Sequence, residues 1–230
     1  MGRPFILIKK EEMGEGILLL ELEPKDRDPL HFRPAQFVNL GLEKDGKLIR
    51  RPYSIASSPD SHTLEFCIKL VGGEFTSLLK GQKPGAEFTV DGPFGPAFYD
   101  EKRHFVLVAG GVGIVPMMSI LRYRAAREGG RIILFYCSRT LPQMPYFREL
   151  EKLSQKEGIK AVFSLTRETP PDWKYRSGRF GEEALRNEIP TPKEFNYFVC
   201  GKKEMVEKLK KLLTSLGAEP SRCHYEGWGL

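Results

Sequence analysis

Disulfide and metal chemistry have little to work with in this chain of 230 residues. Its four cysteines, Cys67, Cys137, Cys200 and Cys223, lie far apart and form no C-x-x-C pair. That spacing indicates neither a zinc site nor an iron–sulfur cluster, so redox chemistry here needs another cofactor. Long apolar runs are also missing. The opening MGRPFILIKKEEM has only a short apolar stretch before charge returns. Neither a secretory h-region nor a membrane span is read there or elsewhere, and a cytoplasmic protein without a membrane partner is expected. No internal repeat or low-complexity tract is present. His31, His62, His104 and His224 fit no catalytic pattern and read as structural or surface residues. The excess of 36 Lys and Arg over 30 Asp and Glu leaves a net charge of +6, which favours acidic partners or simply a solvated basic surface. Without a dense basic run or a recognisable motif, no nucleic-acid partner is expected.

What is present is enough for a sizeable core. With 40% apolar and 29% charged residues the chain reads as soluble and globular, and its length permits one large domain or two small ones. The first hundred residues read as short strands: Phe5 to Glu12, Ile17 to Glu23, Ala35 to Leu42, Leu48 to Ser57, Thr63 to Val71 and Ala86 to Val90. Each is β-rich or alternating and bounded by Gly, Pro, Asp or Ser, a pattern that predicts a six-stranded antiparallel β-barrel. Asp45-Gly46 is a hairpin signal between two of the strands. The stretch Gly41 to Leu48 nearly spells a P-loop, but Leu48 stands where Ser or Thr would bind magnesium, and a strand follows where a helix is needed.

Glu74 to Lys80 is the single helix predicted in this half, following Gly72-Gly73, with Thr76 and Ser77 near its start. Such a start serves either as a plain cap or as an anion site. Asp91 to Pro96 is expected to break regular structure, and the pattern changes beyond it. This divides the chain into residues 1–100 and residues 101–230.

The second half alternates. Strands are expected at Phe105 to Ala109, Arg131 to Cys137, Ala161 to Thr166, Phe195 to Cys200 and Cys223 to Glu226. Helices are expected at Met117 to Arg127, Phe147 to Glu157, Glu182 to Asn187 and Lys203 to Leu216, with Met117 and Met118 in the core. That order predicts an α/β domain with a mostly parallel sheet and a ligand site at the C-terminal ends of its strands. After the first strand come Gly110, Gly111 and Gly113, then Pro116, which suits a first helical turn. The third glycine of the dinucleotide fingerprint is missing, and on its own the turn reads equally as a phosphate cradle or a simple joint.

Taken together, these segments resemble the ferredoxin-NADP reductase superfamily over nearly the whole chain. RPYSIASS, Arg51 to Ser58, matches its flavin motif. The resemblance implies that Arg51 pairs with a flavin phosphate, that Pro52 and Tyr53 line the flavin and that Ser54 hydrogen-bonds near its N5. Each role suits the residue: Arg offers a bidentate phosphate contact, Tyr a flat surface with a polar tip, Ser a small donor. GGEFTSLL, with Gly73, Thr76 and Ser77, is similar to the segment that holds the pyrophosphate of FAD, and FAD is therefore implied rather than FMN. DGPFG, Asp91 to Gly95, sits where family members turn from barrel to nucleotide domain. GGVGIVPMMS is similar to the nicotinamide-nucleotide loop, proline included.

CSR, LTRE and SGR place Ser138, Arg139, Thr166, Arg167 and Arg179 where bacterial relatives hold an adenosine 2′-phosphate. No Asp or Glu ends the second strand of this half, so NADPH is expected over NADH. The VCGKK segment implies that Cys200 lies against the nicotinamide, while Cys67, Cys137 and Cys223 read as small buried hydrophobes. HYEGWGL implies a proton role for Glu226 and a ring-covering role for Trp228, with Gly229 and Leu230 following where plant-type relatives end. The implied function is electron transfer between NADPH and an acidic one-electron carrier such as ferredoxin or flavodoxin. An electron-transfer subunit of a larger complex and a reductase of free flavin or quinone are the alternatives.

Overall fold

The computed structural model describes residues 2–228; Gly229 and Leu230 lie outside the described residues. By backbone proximity the chain forms two units, one running to Tyr99 and taking in Val115–Tyr123, the other holding Asp100–Ile114 and the chain from Arg124 onward.

The first unit contains β1 (Arg3–Gly14), β2 (Ile17–Pro24), β3 (Phe37–Lys44), β4 (Lys47–Ser54), β5 (Leu64–Lys69), α1 (Glu74–Gly81) and β6 (Glu87–Phe94). The strands lie in the order β4-β3-β6-β1-β2-β5, and every neighbouring pair is antiparallel. Alternation fills the interior. Leu18, Leu20 and Leu22, then Val38, Leu40 and Leu42, then Leu64, Phe66 and Ile68 join Phe5, Leu7, Phe88 and Val90 in one buried cluster. Each such side chain contributes roughly 1.5–3 kcal/mol on leaving water. The two outer strands also approach one another, because the Ala56 N–H just beyond β4 donates to the Glu65 carbonyl of β5 at 2.8 Å. The sheet therefore curls around one core as a barrel.

The β3–β4 hairpin turns at Asp45 and Gly46, with φ of 51° and 73°, the left-handed pair that the Asp-Gly signal predicts. Two expectations are corrected. Strand β3 begins at Phe37, because Ala35 has a φ of 69° that no strand accepts. Strand β6 continues to Phe94 through the stretch expected to break. Gly92, with a φ of 145°, leaves room for Phe37 O and Val38 where a side chain would press on them. The β3–β6 register shifts there and recovers at Phe37 and Phe94.

A helix from the second half of the sequence joins this unit. In α2 (Val115–Ala125), Met117, Met118, Ile120 and Leu121 are buried. Arg122 Nη1 donates to Ala56 O at 3.0 Å and to Glu65 Oε1 at 2.7 Å. Both side chains of that ion pair are about one-fifth exposed, and such an attachment contributes roughly 1–2 kcal/mol. It is one of the contacts that tie Val115–Tyr123 to the barrel with which it groups.

The second unit is a parallel sheet of β7 (His104–Gly110), β8 (Ile132–Ser138), β9 (Ile159–Leu165), β10 (Arg176–Ser177), β11 (Phe195–Lys202) and β12 (Cys223–Trp228). Its helices are α3 (Phe147–Leu153), α4 (Glu182–Glu188) and α5 (Lys203–Ser215). Phe105 to Ala109 are wholly buried, as the continuous apolar run predicts for a strand covered on both faces. Helix α5 buries Val206, Leu209 and Leu213, one stripe at helical spacing. Strand β10 was not expected, since two exposed residues carry no hydrophobic pattern. Helix α3 stops at Leu153, short of the predicted Glu157.

The strand order β10-β9-β8-β7-β11-β12 decides where a ligand sits. The chain moves outward from β7 one way to β10, then returns to the other side of β7 with β11. Between β7 and β11 the crossovers diverge, which opens a crevice at the C-terminal strand ends. Among the described residues no helix is long and apolar enough to cross a membrane.

Candidate functional site

In the first unit the site is built on β4 and α1. Pro52 is tolerated because β4 is an outer strand. In register, Arg51 opposes Leu40 and Tyr53 opposes Val38, so both sit on the face that carries the core. Tyr53 is half-buried with its ring 5.5 Å from that of Phe75 in α1. Burial pushes its phenol up to about 12, with the Arg51 charge pulling the other way. Arg51 itself is exposed and donates from Nη1 to Arg50 O at 2.7 Å. Since α1 packs on β3 and β4, and its Phe75 lies against Tyr53, Arg51, Tyr53 and α1 share one side of the outer strand. Ser54 pairs with Phe37 and points to the other face.

The start of α1 has no side-chain cap. Its first-turn N–H groups therefore point outward without an intrahelical acceptor. Gly72 and Gly73 face open space, and a side chain at either would meet no heavy atom within 4 Å of its Cβ. An uncapped helix start with an arginine on the same side of the sheet fits a phosphate-bearing group such as FAD. The Thr76 hydroxyl is committed, since it donates to Gly73 O at 3.0 Å and the residue is buried, whereas Ser77 is exposed.

In the second unit the chain leaves β7 at Gly110 through a 3-10 turn, Gly111–Ile114. Three glycines permit close approach. A Cβ on Gly113 would stand 2.2 Å from Cys200 O and 3.0 Å from Cη2 of Trp228. On Gly110 and Gly201 it would meet Met205 at 2.6 Å and 2.3 Å. Gly111 differs: its φ is 56° and its Cβ direction is empty, leaving room for a pyrophosphate over the turn. Pro116 lies in the first turn of α2, where its missing N–H costs nothing.

Across the switch, Ala109, Cys200 and Glu226 stand side by side on β7, β11 and β12. Cys200 is 1% exposed, and its Sγ lies 3.8 Å from Glu226 Oε2. Burial first, then the Glu226 carboxylate, push its thiol well above the usual range. Cys200 is thus a neutral, weak donor and no nucleophile. The other Glu226 oxygen, Oε1, is 3.0 Å from His224 Nε2. His224 was not expected at the site. The signal for it was the period of two in HYEGW, which puts residues 224 and 226 on one strand face. Trp228 opposes Lys202 and is 39% exposed.

The arginines gather at the ends of β8 and β9. Arg167 N–H donates to Arg139 O at 3.0 Å, and Thr166 N–H to Ser138 O at 2.9 Å. Arg139, Arg167 and Arg179 are exposed. The charge of Arg179 is felt at Cys137, whose thiol burial nonetheless pushes up to about 11. The hydroxyls of Ser138 and Thr166 are spent on backbone carbonyls, at 2.6 Å to Gln143 O and 3.1 Å to Ser138 O. They hold the loops in place. Although no acidic residue ends β8, Glu168, from beyond β9, accepts a hydrogen bond from Leu141 N–H. The carboxylate that sequence order hides from this corner is therefore beside it.

Two family models divide the chain: an oxidoreductase FAD-binding domain over residues 4–99 and an oxidoreductase NAD-binding domain over residues 107–211. Over 219 residues the chain is 31% identical to the gamma subunit of sulfhydrogenase 1 of Pyrococcus furiosus, covering 90% of this chain and 72% of that protein. The chain belongs to the ferredoxin-NADP reductase superfamily. Its two halves carry the FAD-binding and NAD(P)-binding domains found in oxidoreductases. The superfamily fold is shared with a Neisseria gonorrhoeae ferredoxin NADP+ reductase, at a TM-score of 0.83, 22% identity and 97% of each chain. A flavohemoprotein of Bacillus subtilis is 26% identical over 237 residues, 99% of this chain but 59% of that protein, so the chain spans about three fifths of such a relative.

Proposed function

We propose that this superfamily member moves electrons from NADPH through FAD to an acidic one-electron carrier protein such as ferredoxin or flavodoxin. Arg51 and the start of α1, with Gly73, the Thr76 amide and the exposed Ser77 hydroxyl, hold the flavin phosphates. Pro52 and Tyr53 line its ring system, and Ser54 supplies a small donor. Bound FAD supplies hydride acceptance and the release of single electrons. Gly110, Gly111 and Gly113, with Pro116 behind them, hold the pyrophosphate of the dinucleotide. Arg139, Arg167 and Arg179 take its 2′-phosphate, with Ser138 and Thr166 fixing their loops. Cys200 offers the nicotinamide a buried, uncharged contact, Glu226 handles the associated proton and Trp228 covers the ring until the nucleotide enters.

The observation that carries this reading is the Gly111–Ile114 turn seated against Cys200 and Trp228 at the switch point. The first test is an anaerobic preparation titrated separately with NADPH and NADH. A yellow protein bleached at a lower concentration of NADPH is expected. Equal bleaching by NADH would remove the three arginines from nucleotide selection, and a colourless protein that takes up neither FAD nor nucleotide would sink the reading.

A second reading, an electron-transfer subunit of a larger enzyme, is favoured by the likeness to a sulfhydrogenase subunit. Gel filtration of native extract separates the two. A free-standing enzyme elutes near its own 26.2 kDa, and a subunit co-elutes with a partner.

A further inference from the structure

We propose that His224 is the positioning residue for Glu226, fixing the carboxylate so that its second oxygen stays beside the Cys200 thiol. The proposal rests on the reading of Glu226 as the proton-handling group. Three side chains form a line across two strands. His224 Nε2 is 3.0 Å from Glu226 Oε1, and Glu226 Oε2 is 3.8 Å from Cys200 Sγ. A carboxylate only accepts, so the imidazole donates from Nε2.

The backbone explains how the line arises. His224 and Glu226 are two residues apart on β12 and share a face, and in register they oppose Phe198 and Cys200 of β11. The His224 ring rests 5.1 Å from the Phe198 ring, which fixes the imidazole. Tyr225 points the other way, with Lys210 of α5 over its ring at 5.6 Å, so that pair leaves the line alone.

The need for positioning follows from exposure. β12 is an outer strand, and the Glu226 side chain is 35% exposed, against 1% for Cys200. A glutamate at such an edge populates several rotamers unless something holds it, and holding one rotamer lets the same group act at every turnover. His224 is 30% exposed and contacts the oxygen that Cys200 does not use.

Two variants separate positioning from structure. H224F keeps a ring against Phe198 but has no donor; H224Q restores an N–H. In rapid-mixing reduction by NADPH, H224F is expected to slow flavin reduction about tenfold with NADPH affinity unchanged, and H224Q to recover most of the rate. H224F added to E226Q is expected to slow the reaction no further than E226Q alone. In flavin-free protein the 15N resonance of His224 Nε2 is expected to move in E226Q, which reads the bond without turnover. H224F reacting like the wild type, H224Q as slow as H224F, or an unmoved resonance would each overturn the proposal while leaving the function intact. E226Q as fast as the wild type would instead remove Glu226 from the mechanism, and this proposal with it.

Discussion

Gly113→Ala is expected to lower stability by about 1–3 kcal/mol and the rate of flavin reduction by about 100-fold. The added methyl would lie 2.2 Å from Cys200 O and 2.7 Å from its carbonyl carbon. Those are backbone atoms of β11, paired on one side with β7 and on the other with β12, so they yield only if the sheet moves. The turn must lift instead, carrying Gly111–Ile114 away from Cys200 and Trp228. Gly111→Ala is the control for stability alone, because its methyl points into the space left for the pyrophosphate. Its methyl meets nothing within 4 Å, and it pays only the left-handed backbone penalty at a φ of 56°, about 1–2 kcal/mol. Thermal unfolding and single-turnover reduction by NADPH check both. A G113A protein with wild-type melting and rate would mean that the turn does not sit against β11.

Arg51→Ala is expected to weaken FAD binding about 10- to 100-fold, the range for losing a hydrogen bond to a charged group. Arg51 is exposed on the side of β4 that α1 covers, and an uncapped helix start alone binds an anion weakly. Arg51→Lys returns the charge without the planar fork and should fall between the two. Titrating flavin-free protein with FAD and following flavin fluorescence gives the affinities. Equal affinities for wild type and R51A would place the phosphate elsewhere. NADPH binding is the internal control, because the residues assigned to the dinucleotide belong to the turn after β7 and the ends of β8 and β9.

The positive net charge acquires a use under the proposed function. A basic surface steers acidic carriers by long-range attraction, which salt weakens. Arg51 is bound to one phosphate role, so it is not available for that steering. The other exposed cations are numerous enough that no single one is singled out.

Much of the architecture was legible because it is local. A period of two marks Leu18, Leu20 and Leu22, and again Val38, Leu40 and Leu42, as one face of a strand. Asp45-Gly46 names its own turn, and the apolar run Phe105 to Ala109 followed by glycines marks a buried strand ending in a tight turn. Arg51, Gly73, Cys200 and Glu226 stood out by their motifs before any contact was known.

Tertiary structure decided the rest, because the partners are far apart in sequence and a single residue gives no sign of which distant atom it will meet. Arg122 reaching Glu65 ties α2, most of which groups with the barrel unit, to β5. Gly113 meeting Cys200 turns a flexible residue into a spacing requirement. Glu168 reaching Leu141 puts a carboxylate into a corner read as purely basic. His224, which reads from sequence as a structural or surface residue, joins the line to Cys200 only because β12 lies beside β11 in the register that brings Glu226 level with Cys200. Periodicity and turn chemistry act over a few residues and so are written in the sequence. Register between strands separated by a helix is set by the packing of the whole sheet, and it is register that assembles the site.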